Sequence, residues 1–201
     1  MSISAIILAG GRATRMNGAD KGLVLLQSKP LIQHVIERLT PQVDEIFINA
    51  NRELAQYQSL GYTVLKDVVE EFLGPLAGFS LGLQHAKYND VLIVPCDSPL
   101  LPVDLAQRLM AALVKNKSDI AVASSDDNTH PVFCLCKKTV LPSLTAYLEQ
   151  GERRVSAWQK SQQYIEVDFS DCNEAFTNLN TFEDLAELEL KLKLNDPKLK
   201  L

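Results

Sequence analysis

Short apolar runs of strand length recur at residues 3–8, 43–49, 62–66, 91–95, 119–123 and 131–136, and the segments between them carry apolar positions at helical spacing. Runs such as Ala5-Ile6-Ile7-Leu8 and Val91-Leu92-Ile93-Val94 leave no polar face, so such strands must be covered on both sides. The alternation predicts an α/β fold with a mostly parallel central sheet and helices on both faces, in three layers. One helix is expected over 30–39, where Leu31, Val35, Ile36 and Leu39 share a face and Ser28 and Pro30 supply start signals. Others are expected over 103–115 with Asp104 placed to cap it, from near Lys138 to Gly151, and from Thr181 with Asp184 in its first turn. The Lys- and Leu-rich tail from Leu188, and with it 191–201, reads as a frayed end. Ligands of such sheets bind beyond the carboxyl ends of the strands, which singles out Gly10, Gly11, Asn49, Asn51, Asp67 and Asp97.

The first strand end is the most informative. Two glycines stop the run and three cationic residues follow, Arg12, Arg15 and Lys21, in outline a phosphate site. Glycines let backbone N–H groups approach an anion, and the cations balance its charge. Neither the Walker spacing, Gly-x-x-x-x-Gly-Lys-Ser/Thr, nor the dinucleotide spacing, Gly-x-Gly-x-x-Gly, can be laid on this segment, which counts against a simple ATPase and a nicotinamide enzyme. After the run at 91–95, Pro95 and Pro99 flank Asp97 and restrict its backbone. Asp97 reads as a ligand for a hard divalent ion completed by substrate phosphates; helix capping is the weaker alternative, because Asp104 stands closer to the helix. Asn49 suits a ribose or base edge, and equally a turn. Asp67 can accept two hydrogen bonds from the N1–H and exocyclic amine of guanine, or cap a turn. Gly74, Gly78 and Gly82 permit close approach of the sheet or of a ligand. Arg153 and Arg154 suit helix carbonyls or a second anionic substrate, and Asn178 and Asn180 share one face of an extended segment.

Composition narrows the field. A chain of 201 residues with 46% apolar content and no Pro/Gly/Ser-rich linker is read as one domain over 1–201. A net charge of −5 gives no general attraction to nucleic acid or anionic membrane, so neither partner is expected and a small phosphorylated ligand fits better. No apolar run approaches the ~20 residues of a membrane span and the first residues lack a signal-peptide pattern, which places the expected location in the cytoplasm. Cys96, Cys134, Cys136 and Cys172 include one close pair without the second pair of a structural zinc site, so reduced, mostly buried thiols are expected.

Leu8-Ala9-Gly10-Gly11, Arg15-Met16, Asp20-Lys21-Gly22 and Lys29-Pro30-Leu31 resemble the signature of nucleotidyltransferases that join an NTP to a phosphorylated acceptor, and the Asp-Lys-Gly form is similar to the molybdenum cofactor guanylyltransferases. Further matches are Asn49-Ala50-Asn51, Pro75-Leu76-Ala77-Gly78, Pro95-Cys96-Asp97-Ser98-Pro99, His130-Pro131, Gly151-Glu152-Arg153-Arg154 and Asn178-Leu179-Asn180-Thr181. The resemblance implies a single-domain Rossmann-like nucleotidyltransferase fold, with a nucleotide half over 1–100 and an acceptor half over 101–190. It implies GTP and molybdopterin as substrates, with Mg²⁺, or Mn²⁺ in its place, as cofactor. Lys21, Arg15 and Asp97 would be catalytic, with Asp97 on the metal. Leu8, Ala9, Gly10, Gly11, Lys21, Asn49, Asp67, Gly78 and Asp97 would hold GTP. His130, Arg153, Arg154, Asn178 and Asn180 would hold the pterin. A monomer is expected, with transient contact to cofactor-insertion proteins or molybdoenzymes. One departure is Met16-Asn17-Gly18 where the family has Met-Gly-Gly; asparagine tolerates positive φ. Rival readings are a cytidylyltransferase for the same pterin, a sugar-phosphate nucleotidyltransferase, and a silent nucleotide-binding partner in cofactor assembly.

Overall fold

The computed structural model describes residues 2–11, 20–67, 74–126, 128–177, 179 and 181–195. The apolar runs form strands β1 (Ile3–Leu8), β4 (Glu45–Asn49), β5 (Thr63–Leu65), β6 (Asp90–Pro95), β7 (Ile120–Ser125) and β8 (Asn128–Lys137). Two short strands precede β4, β2 (Leu25–Leu26) and β3 (Lys29–Pro30), and one follows β8, β9 (Tyr164–Asp168). The helices are α1 (Leu31–Leu39), α2 (Leu54–Gln58), α3 (Pro75–His85), α4 (Leu105–Asn116), α5 (Leu141–Glu149), α6 (Val155–Lys160) and α7 (Phe182–Asn195).

Seven strands make one sheet in the order β5-β4-β1-β6-β8-β7-β9. Its neighbours are parallel except around β8, which runs antiparallel to both β6 and β7. The predicted three layers are present. Ile3, Ala5 and Ile7 of β1 with Leu92 and Val94 of β6 pack under α1, α2 and α4, while Ile6, Val91 and Ile93 pack under α3, α5 and α6. Successive residues of a strand therefore feed opposite cores, which is why the central runs are apolar apart from buried Ser4, whose hydroxyl donates to Glu45. Proline inside β8 is accommodated by an irregularity: the pairing jumps from Val122↔Cys134 to Ala123↔His130, so Pro131 to Phe133 bulge out of the ladder.

Several local expectations change. Ser28 does not start α1; with Gln27 it forms the turn of the β2–β3 hairpin, both at positive φ (65° and 50°), the geometry of a primed turn, and Pro30 takes the N-cap position. Asp104 occupies the N-cap of α4 without capping it, and its carboxylate lies 3.8 Å from Arg108. The cap comes from elsewhere: Ala106 N–H donates to Gln42 Oε1 at 3.0 Å, and Gln42 Nε2 donates to the carbonyls of Arg38 and Pro102. Thr181 caps α7 as expected, in a reciprocal pair with Asp184. The chain beyond Leu188 is not a frayed end as far as Asn195. Leu185, Leu188 and Leu192 pack on Leu26, Leu31 and Leu179, so α7 lies over the hairpin that follows Lys21. Cys96, Cys134 and Cys136 are buried free thiols and Cys172 is half-buried.

Candidate active site

The carboxyl ends of β1, β4, β5 and β6 open on a cavity of about 280 Å³. Its walls include Leu8 to Gly11, Asn49, Asp67 and Pro95 to Asp97, together with Asp20 and Lys21, Gly74 and Pro75, and Val132 from the β8 bulge. The strand ends contribute their side chains because hydrogen bonding continues one residue past the strands: Ala9 N–H donates to Asn49 O and Cys96 N–H to Leu8 O, which holds the three termini level.

At one end of the cavity stands a clamp built on Asp67. Asn49 Nδ2 donates to Oδ1 at 2.9 Å and Asn51 Nδ2 to Oδ2 at 2.7 Å, while Asp67 N–H donates to Asn51 Oδ1 at 3.0 Å. Each carboxylate oxygen keeps a further acceptor site, so the group is oriented rather than used up. Asn49 also donates to Leu65 O and Asn51 to Gly10 O. A Cβ on Gly10 would lie 2.9 Å from Asn51 Nδ2 and 3.1 Å from Asn49 Oδ1, so this glycine makes room for the amides. Among the described residues nothing lies within 4 Å of a would-be Cβ on Gly11.

At the other end Lys21 Nζ lies 3.3 Å from Asp97 Oδ2. Lys21 begins a 3₁₀ turn, Lys21–Leu23, whose N-cap is Asp20. Asp97 is largely buried, and its backbone carbonyl accepts from Leu179 N–H at 3.2 Å, tying the C-terminal segment to the site. Burial raises the Asp20 carboxyl above its ordinary value against hydrogen bonds from Tyr57 and Gly22, and burial likewise drives the Cys96 thiol well up, leaving it neutral. Among the described residues no three His, Cys, Asp or Glu side chains converge. A hard cation at this end would therefore rest on Asp97 and would take its other ligands from phosphate and water.

Comparison with known proteins settles the family. A sequence profile described as MobA-like NTP transferase domain matches residues 5–164. A molybdenum cofactor guanylyltransferase of Shewanella sp. (strain MR-4) is 46% identical over 192 residues, covering 96% of this chain and 98% of that protein. One from Vibrio parahaemolyticus is 50% identical over 184 residues, covering 92% and 93%. The chain belongs to the MobA-like NTP transferases. The fold agrees: the crystal structure of molybdopterin-guanine dinucleotide biosynthesis protein A from Archaeoglobus fulgidus superposes with a TM-score of 0.77 at 22% identity, over 96% of this chain and 100% of that one.

Set against the family expectation, the structure brings Leu8, Ala9, Gly10, Gly11, Lys21, Asn49, Asp67 and Asp97 to one cavity. Gly78 stands behind the wall: a Cβ there would collide with Leu8 Cδ2 and lie 2.7 Å from Asn49 Oδ1, so it backs Asn49. Arg15, Asn178 and Asn180 lie outside the described residues. Arg153 donates to the carbonyls of Leu148 (2.9 Å) and Glu152 (2.7 Å) at the end of α5, and exposed Arg154 precedes α6; neither reaches the cavity wall.

His130 stacks on Phe176 at 4.4 Å with ring planes 8° apart. Asn173 Nδ2 donates to Asp126 Oδ2, so its Oδ1, 2.7 Å from Ser125 Oγ, must accept. The Ser125 hydroxyl is then committed, and its oxygen accepts from His130 Nε2–H at 2.7 Å. His130 thereby carries a proton on Nε2, and burial lowers its pKa, which favours the neutral ring. Asp20 and Tyr57 carry much of this architecture without having been given roles by sequence reasoning, and Asn51 was singled out only as a strand-end residue. Asp20 and Asn51 stood inside quoted motifs, while a lone tyrosine on a short helix offered no signal.

Proposed function

We propose that the chain transfers GMP from GTP to the terminal phosphate of molybdopterin, giving the guanine dinucleotide form and pyrophosphate. The observation that carries this reading is the opposition, across one cavity, of an amide-clamped carboxylate suited to guanine and a Lys21–Asp97 pair suited to a triphosphate. The names and profile of its relatives support the same chemistry.

Asp67 would accept from N1–H and the exocyclic amine of guanine through the acceptor sites its clamp leaves open. The acceptor phosphate oxygen attacks the α-phosphorus, a new P–O bond forms, and the bond to the β-phosphate oxygen breaks with pyrophosphate leaving. The difficulty is to bring two anions together, so alignment and charge neutralisation carry most of the catalysis. Lys21 Nζ would exchange Asp97 for phosphate oxygens and hold the triphosphate in line, with Arg15 as a second cation. Asp97 would hold Mg²⁺, or Mn²⁺, which when bound neutralises charge on the phosphates. On the acceptor side His130, Arg153, Arg154, Asn178 and Asn180 are the candidates for the pterin and its phosphate. The reading extends to a monomer acting in the cytoplasm, in transient contact with cofactor-insertion proteins or molybdoenzymes.

The test is pyrophosphate release with Mg²⁺ and molybdopterin, comparing GTP with CTP and replacing the pterin by a sugar 1-phosphate. GTP-selective, pterin-dependent release is expected. Equal release with CTP, or release with the sugar, overturns the guanylyl or the pterin assignment respectively.

A further inference from the structure

Lys21 has to meet a phosphate at a fixed point, yet it sits on a 3₁₀ turn outside the sheet. Beneath that turn stands Tyr57. The residue comes from α2, is fully buried, and packs in the same core as Ile7, Ala9, Ile48 and Ala50, which flank Leu8 and Asn49, the last residues of β1 and β4. Its hydroxyl emerges under the turn and donates to Asp20 Oδ1. The Asp20 side chain is only 6% exposed, with Arg52 Nη2 3.9 Å from its other oxygen. A carboxylate so enclosed requires its donors, which makes the Tyr57 hydroxyl a strong tether. The turn also lies directly on that hydroxyl: a Cβ at Gly22 would stand 2.6 Å from Tyr57 Oη and 3.3 Å from Cys96 Cβ and Sγ, beside Asp97. Asp20 O in turn accepts from Leu23 N–H at 3.0 Å and Lys21 O from Val24 N–H at 3.2 Å.

We infer that Tyr57 is a positioning residue: its hydroxyl, through Asp20, fixes the Lys21–Leu23 turn so that the Lys21 ammonium faces Asp97 and the substrate phosphates. The role in turnover rests on the function proposed above; the role in holding the turn does not. Small misplacements of a phosphate-binding cation are costly, because catalysis here depends on alignment, and about a hundredfold per ångström is a usual scale.

The test compares wild type with Tyr57→Phe, which keeps the ring and deletes the hydroxyl, and with Asp20→Asn as a second variant that loses the carboxylate and keeps its size. Hydrogen exchange at the Leu23 and Val24 amides, read in the absence of nucleotide, should speed by about tenfold or more in both, while amides of β1 and β6 keep their protection. Pyrophosphate release by Tyr57→Phe should fall by about 10–100-fold in kcat/KM, and the same substitution in a Lys21→Ala background should cost less than about twofold, because it acts through Lys21. Unchanged exchange at the two amides overturns the inference whatever the enzyme turns over, and so does a loss that is fully additive with Lys21→Ala. A wild-type protein that releases no pyrophosphate would count against the proposed reaction alone, since the exchange result stands by itself.

Discussion

Asp67→Asn changes one oxygen for an NH₂ group and leaves the volume of the side chain alone. In the native clamp both carboxylate oxygens accept from amides, Asn49 Nδ2 at 2.9 Å and Asn51 Nδ2 at 2.7 Å, so whichever way the new amide turns, one donor faces another. Neither neighbour can turn over freely. Asn51 would give up its hydrogen bond from Asp67 N–H, and Asn49 its bond to Leu65 O. At least one hydrogen bond to a charged acceptor is lost, a change of about 1.5–3 kcal/mol, and since Asp67 is only half-buried the lower part, about 1.5–2 kcal/mol, applies. For a chain of this size each kcal/mol moves Tm by about 2–4 °C, giving a drop of about 3–8 °C, measurable by calorimetry at constant pH. The same substitution removes one of two proposed acceptors for guanine, so the GTP over CTP ratio in kcat/KM should fall by about 10–100-fold. A variant that melts within a degree of wild type refutes the clamp as described, and unchanged nucleotide preference in a folded variant refutes the guanine-reading role.

Lys21→Ala and Asp97→Ala should each lower kcat by about 10²–10³-fold with circular dichroism unchanged; near wild-type rates would remove the residue concerned from the reaction. Gly78→Ala should destabilise by about 1–3 kcal/mol, because the added methyl meets Leu8 and Asn49, and a denaturant midpoint equal to wild type would contradict the packing. His130 has its folded pKa lowered by burial, so its contribution to stability is complete above the ordinary value of 6.5 and is lost as pH falls; Tm of wild type should decline below that point more steeply than Tm of His130→Gln, and parallel curves would refute it.

The sheet was legible because burial on both faces makes its central strands nearly continuous apolar runs. Its edges were not. Tyr164-Ile-Glu-Val-Asp168 is short and half-solvated, and it pairs with one neighbour only, so it carries little of that signal. The β2–β3 hairpin has Gln27-Ser28 at its turn, where glycine and asparagine are the residues that announce positive φ. Gly10, Asn49, Asp67 and Asp97 could be grouped in advance because strand ends converge by topology, which places them around one cavity with no further information. Arg153 and Arg154 follow a helix end instead of a strand end, and no comparable rule fixes where such residues point.

The glycines carry a further argument about how such a site is built. Phosphate access is the usual reason for glycine in a loop after a strand, and Gly11, with no described residue within 4 Å of a would-be Cβ, fits it. Gly10, Gly22 and Gly78 do not: each lies against a polar group of the protein itself, Asn51, Tyr57 and Asn49 in turn. Their smallness serves the hidden layer of amides and hydroxyl that orients Asp67 and Asp20. A methyl at any of them should therefore damage the orientation of a carboxylate before it obstructs a ligand. The C-terminal segment extends the same logic to the other substrate, since Leu179 N–H binds the carbonyl of Asp97 while α7 covers the hairpin that follows Lys21. Lys21 and Asp97, the residues proposed to meet the triphosphate, are thus braced from the half of the chain expected to hold the acceptor.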